Sequence, residues 1–196
     1  MKILIKGGHI VNEDHVQDGD VVIEDGNILE VRGKIATPHS DQRSEKEEGG
    51  SETFDEVIDA SGCYVLPGII DDHVHFREPG LTDKADIDTE SRAEAAAGVT
   101  SYFDMPNCNP QTTTLEALED KFALAREKSH VNYSFFYGAT NDNADTFSQL
   151  PANRIPGVKL FMGSSTGNML VDKQQALERI FKTCKLPLMS HCEDTD

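Results

Sequence analysis

From residue 68 onward the chain alternates short apolar runs with longer amphipathic stretches, and this alternation narrows its fold more than any other feature. The apolar runs fall at 68–75, 99–104, 131–139, 157–162 and 187–191. Helix-type stretches occupy 86–97, 114–129, a short segment near 143–149, and 172–184. A strand covered on both faces reads as a continuous apolar run, and strands joined through helices run parallel. Gly98 stands where a left-handed residue would end the first helix, and Asp172 is placed to cap the last one. The expected fold class is therefore α/β, a partial (β/α)8 TIM-type barrel of about five strands. A complete barrel needs eight strands in about 250 residues, so residues 67–196 are expected to supply its first half. A doubly wound open sheet is the alternative, but the first strand-to-helix turn lacks the glycine-rich fingerprint of that fold.

The first 66 residues read differently. Lys2 to Lys6 alternates as a strand does, and 20–24 and 28–32 flank Asp25-Gly26-Asn27, a turn sequence suited to a hairpin. Short strands at 57–59 and 63–65 complete a small β-module. Between them, the polar loop 37–56 has too little apolar surface to order itself, and a mobile hairpin loop is expected there.

Charge and composition exclude several functions. A formal charge of −17 would repel a phosphate backbone, so no nucleic-acid partner is expected. The apolar runs are far shorter than the roughly 20 residues of a membrane span, and the start lacks a secretory signal, so no membrane partner and a cytoplasmic location are expected. Cys63, Cys108, Cys184 and Cys192 lack C-x-x-C spacing and read as reduced thiols, with Cys192 buried as a small hydrophobe.

Chemistry concentrates where the apolar runs end. In HVHFREPG, residues 73–80, His73 and His75 lie two apart after an apolar run. Two apart on a strand means one face, so both imidazoles would reach into the same space, as two ligands of one metal must. Lys159 sits inside the apolar GVKLFMG; a buried ammonium there should be paired, neutralised or modified, for example carbamylated by carbon dioxide into a carboxylate-like metal bridge, the alternative being a lysine that extends from the strand end into solvent. His191 ends the fifth run as His75 ends the first. Arg77 could hold a carboxylate bidentately, and Asn107 could donate to the same group. The remaining histidines, His9, His15, His39 and His130, are assigned to structure or surface.

HVHFREPG, DMPNCNP, GVKLFMG and MSHCED stand in this order along the chain, and together they resemble the amidohydrolase superfamily, within it the barrel-type dihydroorotases that use a lysine ligand. The resemblance implies that residues 1–66 are the N-terminal part of a small β-sandwich domain and that 67–196 are the first half of a metal-dependent hydrolase barrel. It implies two Zn2+ per complete site, His73 and His75 on one, carbamylated Lys159 bridging, and His191 on the other, with Asp71 supporting from behind. Arg77 and Asn107 would bind the carboxylate of a small-molecule substrate, dihydroorotate or N-carbamoyl-L-aspartate, in pyrimidine biosynthesis. A further metal-binding histidine and the catalytic aspartate would follow the last residue given; Asp194 and Asp196 stand too close to His191 to replace the latter. A homodimer is what the resemblance implies for assembly. Allantoinase, hydantoinase and non-catalytic scaffold relatives share this lineage; Arg77, and Asn107 with it, sets dihydroorotase apart from the first two, because a hydantoin lacks the carboxylate they would bind.

Overall fold

A computed structural model describes residues 1–34, 52–165 and 167–193. Most of the polar loop read at 37–56 lies outside the described residues, as do His39, Asp194 and Asp196. The chain divides after Pro67 into two compact units.

The first unit is one sheet. Strands β1 (Lys2–Asn12), β2 (His15–Glu24) and β3 (Asn27–Lys34) form an antiparallel meander, and β4 (Glu56–Asp59) and β5 (Tyr64–Val65) pair parallel to β1. Both hairpins turn over two residues with positive φ, Glu13-Asp14 at 45° and 67° and Asp25-Gly26 at 48° and 82°, the turn whose twist matches the flanking strands. Only the second was legible, because Asp-Gly announces such a turn and Glu-Asp does not. Leu4, Ile10, Val21, Val22 and Ala60 are buried within this unit.

In the second unit the expected alternation is present. Its elements are β6 (Ile69–Val74), α1 (Ile87–Ala97), β7 (Val99–Asp104), α2 (Leu115–Lys128), β8 (Asn132–Phe135), β9 (Tyr137–Gly138), a 3-10 turn (Ala144–Gln149), β10 (Val158–Phe161), α3 (Gln174–Thr183) and β11 (Leu188–His191). Every pairing is parallel, in the orders β6-β7-β8 and β11-β10-β9. The run 131–139, read as one strand, appears as two segments. Up to Phe135 it pairs with β7; from Tyr137 it pairs with β10, and Phe136 N–H donates to the Asp104 carbonyl at the changeover. The buried core of this unit includes Tyr102, Leu118, Phe122, Phe135, Val158, Leu160 and Ile180, with Phe122 and Phe135 in edge contact at 4.9 Å between ring centroids.

Helix ends follow local chemistry. Asp86 caps α1 by accepting from Thr89 N–H at 2.8 Å, and Gly98 closes it at φ 86°. Thr114 caps α2 through Ala117 N–H. Asp172 does not cap α3: that position is Lys173, without a side-chain bond, while Asp172 Oδ1 accepts from Asn141 Nδ2 at 3.1 Å. Asn141 Oδ1 also accepts from Lys173 N–H at 3.3 Å, so a loop side chain engages both residues ahead of the helix and the first turn of α3 has no side-chain cap. No helix among the described residues is long and apolar enough to cross a membrane.

Candidate active site

Because the strands of the second unit are parallel, their C-terminal ends share one end of the sheet, and the candidate residues lie there. His73 is in β6 and His75 is the first residue past its end; their ring centroids are 5.4 Å apart at a tilt of 48°. Asp71 Oδ1 accepts from the His73 backbone N–H at 3.1 Å, so its contribution is to fix the main chain under that imidazole. Asp104 does the same one loop later, its Oδ1 accepting from Phe76 N–H at 3.1 Å.

Asn107 faces His75 across 2.9 Å, ring Nδ1 to carboxamide Oδ1. An amide oxygen only accepts, so this contact puts the ring proton on Nδ1 and leaves Nε2 with a free lone pair. Burial holds the His75 pKa below its ordinary value of 6.5, and the nearby Arg77 charge pushes in the same direction. A neutral imidazole with one nitrogen oriented and the other open is the form that ligates a metal. Asn107 therefore touches a candidate ligand, a contact that sequence spacing did not foresee.

Arg77 holds an unusual backbone, φ 68°, and no carboxylate among the described residues pairs with its guanidinium. Its loop is locked to the loop after β7. Asn109 N–H donates to the Pro79 carbonyl at 2.9 Å, and a Cβ on Gly80, itself at φ 81°, would stand 1.9 Å from the Asn109 carbonyl oxygen. Only glycine permits that approach. Beside Asn107 opens a cavity of about 320 Å³ lined by Leu81, Cys108, Asn109, Gln111 and Gly167, large enough for a small organic acid.

Lys159 lies at the centre of β10 with 2% of its surface exposed, so it does not extend into solvent. No carboxylate among the described residues pairs with it, and its Nζ lies 5.1 Å from the Phe161 ring centroid. Burial pushes the amine pKa below 10.5, with Cys192 opposing to a smaller degree. His191 ends β11 opposite Phe161, half-exposed, with Nε2 at 3.8 Å from Glu193 Oε1. Among the described residues, no group of three or more His, Cys, Asp or Glu side chains is gathered closely enough to hold a metal ion. The structure thus joins His73, His75 and Asn107, and leaves Lys159 and His191 on neighbouring strands without a contact to that group. Cys192, read as buried, is exposed, because it follows the last residue of β11, which pairs on one side only among the described residues; all four cysteines are free. His9 and His130 are taken up by Asp18 and Asp88, and His15 by the Glu13 carbonyl.

Two buried charges were missed. Lys121, from α2, and Asp104 are each 1% exposed and meet at 2.8 Å. A signal existed: Leu118, Lys121, Phe122 and Ala125 are the buried positions of α2, so the lysine stands on the apolar stripe at helical spacing.

Residues 62–195 match the family described as dihydro-orotase-like, and the chain belongs to that family. Among curated relatives, an allantoinase of Desulfitobacterium hafniense is 36% identical over 199 residues, covering 99% of this chain and 41% of its own length. A dihydroorotase of Methanosarcina mazei is 33% identical, covering 98% of this chain and 40% of its own. The L-hydantoinase of Arthrobacter aurescens shares the fold, with a TM-score of 0.83 at 23% identity over 98% of this chain and 41% of that one. The chain therefore spans about two fifths of the length of the proteins it matches.

Proposed function

We propose that this chain carries part of the active site of a metal-dependent hydrolase of cyclic amides, and that its substrate is dihydroorotate, opened reversibly to N-carbamoyl-L-aspartate. The observation that carries the reading is the oriented pair His73 and His75, with the Nε2 lone pair of His75 left open by Asn107. Lys159 supports it independently. A buried amine without a carboxylate partner among the described residues, held towards its neutral form, is suited to take up carbon dioxide, and the resulting carbamate would need cations beside it. In this reading His73, His75, carbamylated Lys159 and His191 would hold zinc, the metal their nitrogen and carboxylate-like donors suit best. Bound zinc would supply Lewis acidity and water that ionises near neutral pH. The chain's own residues supply orientation: Asp71 fixes the backbone of His73, and Asn107 fixes the ring of His75. Arg77, which no carboxylate among the described residues pairs with and whose charge is felt at His75, would bind the substrate carboxylate bidentately.

Allantoin is the second reading, favoured by the 36% identity to an allantoinase. It lacks the carboxylate that would use Arg77. The test is turnover of dihydroorotate and of allantoin by the protein that carries this sequence, with zinc content measured in parallel. The expected result is bound zinc, dihydroorotate turnover and a fall of about 100-fold or more in kcat/KM on Arg77→Met, the scale of losing a charge-assisted bidentate contact. Turnover of allantoin alone, unaffected by Arg77→Met, would replace dihydroorotate as the substrate.

A further inference from the structure

The ion pair between Asp104 and Lys121 touches no open surface, yet each partner also holds main chain that leads to the candidate site. Asp104 is the last residue of β7. Its Oδ1 accepts from Phe76 N–H at 3.1 Å, and Phe76 is the residue between His75 and Arg77. Its own carbonyl accepts from Phe136 N–H, at the changeover between β8 and β9. Lys121 Nζ meets Asp104 Oδ2 at 2.8 Å and donates to the Met105 carbonyl at 3.0 Å, so it pins the first residue of the loop that carries Asn107. The same nitrogen lies 3.8 Å from Cys108 Sγ and 4.9 Å from the Phe135 ring centroid, which leaves the lysine little freedom to move.

Two loops must be in register for Asn107 to meet His75. One leaves β6 and one leaves β7, and neither is part of a strand where that contact forms. The charge pair ties the first loop at Phe76 and the second at Met105, on either side of the His75 to Asn107 bond. A buried ion pair is poor evidence for stability, since taking two charges out of water costs about as much as their attraction returns. Fixing geometry is the better account of its presence here.

We infer that Asp104, held in place by Lys121, is a positioning residue for the site: its bond to Phe76 N–H sets the main chain on which His75 and Arg77 are presented, and Lys121 sets the loop that brings Asn107 to His75. Both are 1% exposed, so neither opens onto the site. The inference rests on the proposed function only for its consequence, since the geometry can be tested without metal or turnover.

Two double variants separate positioning from stability, and both remove the buried charges together. Asp104→Asn with Lys121→Met keeps an oxygen acceptor for Phe76 N–H; Asp104→Leu with Lys121→Met removes it at similar volume. Measured on the protein that carries this sequence, labelled with 15N-histidine, the expected result is a His75 Nδ1-protonated signature weakened in the asparagine variant, which loses only the Lys121 tie, and lost in the leucine variant, which loses both ties. Zinc affinity, from chelator competition, is expected to fall about 10- to 100-fold in the leucine variant relative to the asparagine variant, the usual scale for partners that orient a ligand. Identical His75 signals in the two folded variants would overturn the inference. If the leucine variant does not fold, the unaltered protein decides: a Phe76 amide that exchanges as fast as an unstructured one overturns it, and a protected one upholds it. Failure of the unaltered protein to bind zinc would sink the proposed function while leaving the histidine and amide readings to judge the positioning role.

Discussion

Strands β6 and β10 both carry candidate ligands, but they are held in place by different means. In β10 every residue is buried, from Val158 at 0% to Phe161 at 6%, and the strand has a neighbour on each side. In β6, Ile69 and Ile70 are 54% and 59% exposed, and among the described residues the strand pairs only with β7. Lys159 is therefore fixed by the packing around it. His73 and His75 are fixed by polar contacts instead: Asp71 on one backbone N–H, Asp104 on the next loop, Asn107 on the ring and Asn109 on Pro79. Packing gives a ligand position at the cost of burying it, whereas hydrogen bonds hold a ligand that must stay open.

The sharpest way to break this contrast is to remove one charge of the buried pair. Lys121→Met leaves the Asp104 carboxylate buried and unpaired, and should lower stability by about 3–5 kcal/mol in denaturant unfolding. On the β10 side the equivalent injury is apolar: Leu160→Ala should cost about 2–5 kcal/mol through the cavity it opens. The two losses should differ in what restores them. Adding Asp104→Leu to Lys121→Met should recover most of the first, because the uncompensated charge is gone. If that double variant stayed as unstable as Lys121→Met, charge burial would not be the cause, and the lost acceptor for Phe76 N–H would account for the loss instead.

Much of this was legible in the sequence because periodicity is local. The apolar runs at 99–104 and 157–162, and the stretch 114–129 with Thr114 and Ser129 at its ends, match β7, β10 and α2 to within a residue or two. Lys159 was legible as a buried lysine because its neighbours on both sides are apolar. What escaped depends on partners distant in sequence. Asn107 meets His75 across 32 residues, and only the pairing of β6 with β7 brings them together. Asp172 has the right type and place for a helix cap, yet Asn141, from another loop, takes it instead. Cys192 has an apolar strand before it, but its burial depended on neighbours that β11 has on one side only among the described residues.

A milder injury to the polar side tests whether those contacts act on the ligand itself. Asn107→Ala removes the acceptor that holds the His75 Nδ1 proton without touching the core, so thermal unfolding should change little. Zinc affinity should fall by about 10- to 100-fold, as for other residues that orient a metal-binding histidine. Equal zinc affinity in the variant would mean that packing alone orients His75, and the distinction between the two strands would narrow to their exposure.

The smallest effect expected separates the helices that follow β6 and β7. Only Ile87 and Ser91 are buried in α1, whereas α2 buries Leu118, Lys121, Phe122 and Ala125, so α1 should depend more on its cap. Asp86→Ala should lower the protection of α1 amides against hydrogen exchange by about 1 kcal/mol, roughly fivefold, with α2 unaffected. The Asp86 carboxyl is held below its ordinary 3.8 by the Thr89 backbone N–H, then by the Thr89 hydroxyl. A depressed carboxyl adds stability at pH values above 3.8 and loses that contribution as the pH falls through its lower folded value. Asp86→Asn should therefore keep most of the cap and lose this acid dependence. An α1 that frays no more in Asp86→Ala than α2 does in Thr114→Ala would show that the exposed helix is held by something other than its polar end.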